Sequence, residues 1–434
     1  MKRYEAYKHS GVEWIGEIPE GWEVRRIKTL FKEINERSFD GSEDLLSVSQ
    51  YTGVTKKSDK VEEGDLLTNA STLEGYKIVR NGDLVSNIML AWNGSLGFSQ
   101  FDGITSPAYS IYRLKSKGEK QFFHYLFRTE KYKAEFKRQS SGVIESRLRL
   151  YSDDFFSIYS ILPPLSEQTN IAQFLDDKTA KIDQTIAIRQ KEIELLKERR
   201  QILTQQAVTK GLDATLPMKD SGVDWIGEIP EHWEVRKLKT LSKKIVDGTH
   251  FTPNYIDEGI PFLRVTDLTN MQSGVIQWEK VNRISVEEHK SLIKRAFGEK
   301  GDVLLSKNGT IGLTKVIDWD EEFSFFVSLC LIKLRKEINP HYFTYFFNSP
   351  LVDEQLNFGS SRTSVTNLHL EKIKELLIVL PPINEQDKII KAIDELTNPI
   401  AKAIRLKEQE IEKLKEYKTV LIEQVVKGKV RVSY

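Results

Sequence analysis

The sequence predicts an α+β protein whose plan occurs twice: two tandem mixed α/β domains, related by internal duplication and separated by two long helices. Three observations lead there. A block near the start returns near the middle, a second block returns at almost the same interval, and an apolar seam with helical spacing follows that second block in both copies.

The first block, SGVEWIGEIPEGWEVRRIKTL from Ser10 to Leu30, returns as SGVDWIGEIPEHWEVRKLKTL from Ser221 to Leu241, with seventeen of twenty-one positions identical. Trp14, Ile15 and Ile18, repeated as Trp225, Ile226 and Ile229, read either as core residues or as a contact made twice with identical partners. The mixed regions follow. Ile260 to Leu268, Gly301 to Ser306 and Phe325 to Leu334 have the β-branched and aromatic content of strands, whereas Phe122 to Phe127 and Tyr342 to Phe347 read as helix starts. Gly82-Asp83 and Gly301-Asp302 match, each read as a turn entering a strand. Between the repeated blocks the frame is shared and the contents differ, which suggests two sites that bind different versions of one thing.

LPPLSEQ at Leu162 to Gln168 returns as LPPINEQ at Leu380 to Gln386, 218 positions later. Ser166 and Asn384 are the expected N-caps of a short helix, with Glu167-Gln168 and Glu385-Gln386 read as helix-start residues or partner contacts. A break is expected at Asp177-Lys178-Thr179 and at Thr397-Asn398-Pro399, with a long helix after it. The long helix carries Ile182, Ile186, Arg189, Ile193, Leu196, Arg200, Leu203 and Ala207, matched by Ile400, Ile404, Lys407, Ile411, Leu414, Lys418, Leu421 and Val425. This is an a/d seam in both copies, with long basic stems at two seam positions. Its simplest partner is the other seam; a foreign helix is the alternative. The boundaries expected are domains at 1–165 and 212–382, with helical spacers at 166–211 and 383–434.

Composition bounds the function classes. Hydrophobic residues at 39% and charged residues at 29% fit a globular protein. No apolar stretch spans a bilayer and the start lacks a signal-peptide core, so a cytoplasmic location is expected. The lone Cys330 lies in an apolar run and reads as a buried thiol. Net charge is only +1, yet Lys115 to Leu150 holds ten Lys or Arg against four Glu. That stretch is either a solvated face or a phosphate-binding one.

Motifs for chemistry are missing. There is no P-loop, GxGxxG, HExxH or GxSxG pattern, and no pair of the seven histidines has helical ligand spacing, so neither a bound cofactor nor a metal is expected.

The WIGEIPEGWEV and WIGEIPEHWEV blocks, the LPPLSEQ and LPPINEQ blocks, the long basic helices and the hinge AVTKGLDATLPMKDSGVDW resemble, over the whole chain, the specificity subunits of type I restriction-modification systems. The resemblance implies two target recognition domains, each reading one half of an asymmetric bipartite DNA sequence, with the helices forming an antiparallel coiled coil in a pseudo-twofold arrangement. It implies docking of two modification subunits and, in a larger complex, of ATP-dependent restriction subunits. S-adenosylmethionine, ATP and Mg would sit on those partners, leaving this chain non-catalytic. A helix from Thr179 to Thr209 spans about 46 Å at 1.5 Å per residue, enough for half-sites about 34 to 36 Å apart on one face of a duplex.

Base-contacting residues do not transfer by motif and are chosen by type, Arg and Lys for guanine, Asn and Gln for adenine. In the first half they are Gln50, Tyr51, Asn87, Asn93, Ser140, Ser141, Arg147 and Arg149; in the second, Thr249, His250, Arg264, Thr266, Lys307, Asn308, Ser361, Arg362, Thr363 and Asn367. Phosphate contact or plain structure competes at each. Two other readings stay open, a duplicated DNA nuclease and a coiled-coil scaffold that does not read DNA.

Overall fold

A computed structural model describes residues 2–60, 72–271, 274–357 and 368–432, and it divides into two compact units. The first comprises residues 1–189 and 409–434, the second residues 190–408. The sequence boundaries at 166, 212 and 383 lie beside helix ends at Leu165, Lys210 and Ile383, whereas the compact units divide each long helix midway.

Within each unit the repeated blocks meet. In the first, Tyr7–His9 pairs with Glu17–Pro19, and Glu23–Arg26 runs antiparallel to Tyr159–Leu162, so that Glu23 faces Leu162. In the second, Met218–Asp220 pairs with Glu228–Pro230, and Glu234–Lys237 with Leu377–Leu380. Ile18, Ile226 and Ile229 are buried, while Trp14, Ile15 and Trp225 pack half-buried against the two cores.

A four-stranded antiparallel sheet forms the centre of the mixed domain in each unit. Its order is Phe31–Ile34, Tyr109–Leu114, Leu84–Asn87, Leu96–Phe98 in the first unit, and Ser242–Asp247, Leu329–Leu334, Val303–Ser306, Thr314–Val316 in the second. The Gly-Asp turns lead into it as expected. Gly82 and Gly301 have φ of 88° and 89°, a left-handed conformation that costs glycine least, and the Asp83 and Asp302 carboxylates accept from the backbone N–H three residues back. Asp83 then takes a bidentate Arg113 at 2.7 and 2.8 Å, and Asp302 takes Lys333 at 2.6 Å. Cys330 is buried in its strand, and burial pushes its thiol up to about 12.

Beyond that sheet the units differ. The first adds a hairpin of Leu46–Ser49 with Gly53–Lys56, and the second places Ile260–Leu263 between Arg283–Ile284 and Ser324–Phe325. The strand expected over Ile260 to Leu268 ends at Leu263, because the Asp267 carboxylate accepts from the Arg264 N–H at 2.7 Å and starts the helix Val265–Thr269. The run Phe325 to Leu334 is likewise interrupted at residues 326–328. Lys120–Phe127 and Pro340–Phe347 are helices, each burying four aromatic or leucine side chains on one face, as the sequence indicates.

The long helices differ from expectation at their starts and middles. They run unbroken from Leu165 to Lys210, 46 residues, and from Ile383 to Val426, 44 residues, about 69 and 66 Å at 1.5 Å per residue. Ser166 and Asn384 are not caps; the carbonyls of Pro164 and Pro382 accept the first helical N–H groups instead. No break occurs at Asp177-Lys178-Thr179, where Asp177 pairs with Lys181 one turn on. Pro399 sits inside the second helix. Its neighbours Ile393, Ile400 and Ile404 are all buried, so packing of one face carries the helix past the lost hydrogen bond.

The seam residues face inward. Ile182, Ile411 and Leu421 are buried in the first unit, with Ile186 and Leu414 half-buried; Ile193, Ile400 and Ile404 are buried in the second, with Leu196 and Leu203 half-buried. Asp183 with Lys418 at 2.7 Å and Arg189 with Glu410 at 2.9 Å give an antiparallel register in the first unit, and Glu192 with Lys407 at 2.6 Å continues it in the second. Arg189, Lys407 and Lys418 therefore meet carboxylates on the opposite helix, whereas Arg200 is exposed, as the long-stem reading expects. Among the described residues no helix is long and apolar enough to cross a membrane.

Candidate nucleic-acid interface

Each mixed domain is fixed to its long helix by the same five side chains. Trp22 donates its indole N–H to Glu167 at 2.9 Å, and Trp233 to Glu385 at 2.8 Å, which explains why the two sequence blocks are duplicated together. Gln168 donates to the Pro163 carbonyl and accepts from the Glu119 N–H, as Gln386 does with Pro381 and Asn339, so one buried amide ties the Pro-Pro turn to the start of the earlier helix Lys120–Phe127 or Pro340–Phe347. Tyr125 and Tyr345 donate to Asp176 and Asp394 further along the long helices. Burial, with Asp176 nearby, pushes Tyr125 up to about 12. Reading Glu-Gln as a helix start finds the position and misses these cross-links, since a sequence does not show which distant donors arrive.

The copies diverge in one detail of this anchor. Glu167 also accepts from the Tyr4 hydroxyl, whereas Glu385 has His232 at 2.8 Å. Burial first, then the Glu167 carboxylate, holds the Tyr4 phenol far above its usual range.

At one end of the second unit's sheet, five sequence candidates are brought together. The strand end at Asp247 leads to Thr249 and His250, the strand end at Ser306 leads to Lys307 and Asn308, and Ile260–Leu263 leads to Arg264. Residues 326–328 knit these loops: Val327 donates to the Thr249 carbonyl, Lys307 N–H to the Ser328 carbonyl, and Val265 N–H to the Ser328 hydroxyl. Thr266 is exposed beside them. Thr249 and Lys307 are interior residues, however. Lys307 is 5% exposed and ion-paired to Asp247 at 3.1 Å, so it braces the loops from within. Asp247 also holds Arg295 and lies 3.2 Å from His250, and its neighbouring cations keep its carboxyl low despite burial. Ser361, Arg362, Thr363 and Asn367 lie outside the described residues.

In the first unit the candidates fall into two groups. Gln50, Tyr51 and Asn93 line one cleft of about 310 Å³ together with His124, Arg128 and Lys133. Arg128 holds that cleft in shape by donating to the carbonyls of Gln50, Tyr51 and Leu96. Tyr51 is 83% exposed at the hairpin turn. Beneath it, burial and then the Arg128 charge push His124 down to about 4, so the ring is neutral. The second group surrounds the sheet end. Asn87 is buried and spent on Met89 N–H and the Tyr109 hydroxyl, which makes it part of the scaffold. Ser141 pairs through its backbone with Arg149, closing a loop that exposes Arg147, and Ser140 caps the preceding helix through the Phe136 carbonyl.

The basic stretch is largely satisfied within the fold. Lys115, Lys131 and Arg128 donate to backbone carbonyls, and Lys133, Lys137 and Arg138 pair with Glu130, Glu145 and Glu135. The Lys133–Glu130 and Lys137–Glu145 pairs have exposed carboxylates and contribute roughly 0 to 1 kcal/mol each, whereas the Glu135 carboxylate is buried beneath Arg138.

The type I restriction modification DNA specificity domain matches this chain at residues 19–198 and again at 230–416. The MjaVIII specificity subunit of Methanocaldococcus jannaschii, a type I restriction enzyme component, is 27% identical over 96% of this chain and 94% of its own. The EcoKI specificity subunit of Escherichia coli is 22% identical over 88% and 83%. Among solved structures, the HsdS subunit from Thermoanaerobacter tengcongensis aligns over 95% of this chain and 98% of its own, at 16% identity and TM-score 0.51. A chain from a structure described as the basis of complex assembly and conformational transition of the type I R-M system aligns over 95% and 99%, at 17% identity and TM-score 0.69. These two share the fold. With the specificity domain matched twice and over most of its length, this chain belongs to the type I restriction-modification specificity subunits.

Proposed function

We propose that each recognition domain reads one half of an asymmetric bipartite DNA target, and that the long helices set the spacing and dock modification subunits. The observation that carries this reading is one sheet, in one strand order, bearing different polar side chains at the same end in the two units. A frame kept constant around differing contents suits two half-sites of different sequence, read through base edges while phosphates set position. The chain contributes recognition without catalysis; S-adenosylmethionine, ATP and Mg belong to the modification and restriction subunits, and the complex works in the cytoplasm.

Methylation mapping in cells tests this. With a cognate modification subunit, adenine methylation is expected at one split motif, and exchange of one recognition domain changes one half of that motif alone. Methylation or cleavage by this chain without partners would favour the nuclease reading, and a swap that alters both halves would sink the division of labour.

A further inference from the structure

We infer that Arg264 is the guanine-reading residue of the second recognition domain, held ready by Tyr255 and Asp267. The inference rests on the DNA-reading function above and deepens it to one side chain. The Arg264 guanidinium lies over the Tyr255 ring at 5.9 Å, with its Nε 3.6 Å from Asp267. That separation is too long for a hydrogen bond, and among the described residues the buried Nε has no hydrogen-bond partner. The side chain is 34% exposed. A planar cation is thus oriented by the Tyr255 ring and the Asp267 carboxylate, while its Nε is left without a hydrogen bond among the described residues. By contrast, Arg283 in the same unit spends a guanidinium nitrogen on the Gly259 carbonyl and Arg295 spends one on Asp247.

A second observation in the adjoining loop points the same way. The Asn308 side-chain oxygen is buried and also lacks a hydrogen-bond partner among the described residues. The two loops abut: a Cβ placed on Gly309 would meet Val265 at 3.8 Å, and both loops bond to Ser328. Unsatisfied buried polar groups are costly, and two of them in touching loops mark a place where hydrogen bonds are supplied by something bound. The ligand that fits a forked, stacked guanidinium at a sheet end in a DNA-reading domain is the O6/N7 edge of guanine.

The backbone of Arg264 is fixed independently of its guanidinium. Its N–H is taken by the Asp267 carboxylate at 2.7 Å and it precedes the helix Val265–Thr269, so shortening the side chain leaves the loop intact.

The test uses the full chain with its modification subunits and DNA carrying the mapped split motif, with each guanine replaced in turn. Arg264→Ala and Arg264→Lys are expected to lower discrimination for guanine about 5- to 150-fold at one position of the half-site that follows the second domain in an exchange. The other half-site and the thermal unfolding midpoint stay unchanged. Lys keeps the charge but loses the fork, so it decides the matter even if the alanine variant unfolds. Tyr255→Leu should relax the same position by less. Retained discrimination at every guanine in Arg264→Lys, a uniform fall in methylation with the motif intact, or a second half-site without guanine each overturns the assignment. Failure of the underlying function looks different: the unaltered chain then yields no split motif.

Discussion

The two domains have sheets of one strand order but brace the loops beside them by different physics. In the second, a buried ion pair of Lys307 with Asp247 lies beneath the loops; in the first, Arg128 spreads one guanidinium over three backbone carbonyls and sits beside a neutral, half-buried histidine. A buried pair is sensitive to the loss of either member, whereas backbone carbonyls cannot be mutated away. The difference teaches that loops can be exchanged at a sheet end only with the bracing beneath them.

Breaking the ion pair should have the largest effect. Asp247→Ala leaves the Lys307 ammonium buried and unpaired, which costs about 3 to 5 kcal/mol, read as destabilisation of the second unit in denaturant unfolding. Replacing both by apolar residues should recover much of that loss; no recovery would mean that the pair is not the brace.

Acid should divide the units next. His124 titrates at about 4 in the fold, against about 6.5 when unfolded. Its folded pKa is lowered, so the unfolded chain binds the proton first and stability falls as pH drops from about 6.5 to about 4, by about 3 kcal/mol in total. The matching position in the second unit's helix is Thr344, which does not titrate. His124→Thr should flatten the acid slope of the first unit's unfolding, and an unchanged slope would assign the sensitivity elsewhere.

The shared anchor should respond alike in both copies. Glu167→Ala and Glu385→Ala each orphan a buried indole N–H and remove a charge-assisted hydrogen bond, for about 1.5 to 3 kcal/mol. Double-mutant cycles with Trp22→Phe and Trp233→Phe measure the coupling. Unequal couplings would show that the Tyr4 and His232 contacts alter the anchor itself.

The smallest effect tests the sheet pins. Arg113→Lys gives Asp83 the single-point partner that Asp302 has in Lys333, and should cost about 1 kcal/mol or less, because the Arg113 side chain is 32% exposed.

Much of this plan was legible in the residues. The duplication, the seam and the aromatic helix starts all rest on periodic patterns that survive the fold. Where the reading failed, a local rule lost to tertiary packing: Pro399 is a breaker by itself, but the buried Ile393, Ile400 and Ile404 keep its helix running. Asp267 three residues after Arg264 was a visible helix signal, hidden inside a strand-like run. Candidate site residues were the least legible. Side-chain chemistry alone does not separate Lys307, consumed by Asp247, from Arg264, whose Nε has no hydrogen bond among the described residues, and only the neighbours supplied by distant loops do so.

The antiparallel pairing of Glu23–Arg26 with Tyr159–Leu162, and of Glu234–Lys237 with Leu377–Leu380, gives each domain a two-stranded neck. Its two strands stand about 4.8 Å apart, with the indole and carboxylate that lock it lying outside the enclosed segment. Each neck is therefore a socket: a graft running from Arg26 to Tyr159, or from Lys237 to Leu377, enters and leaves at adjacent points, provided it keeps the aromatic helix whose Tyr125 or Tyr345 bonds to the long helix. New reading surfaces can be plugged in by a single crossover at each side, without rewriting the frame that receives them.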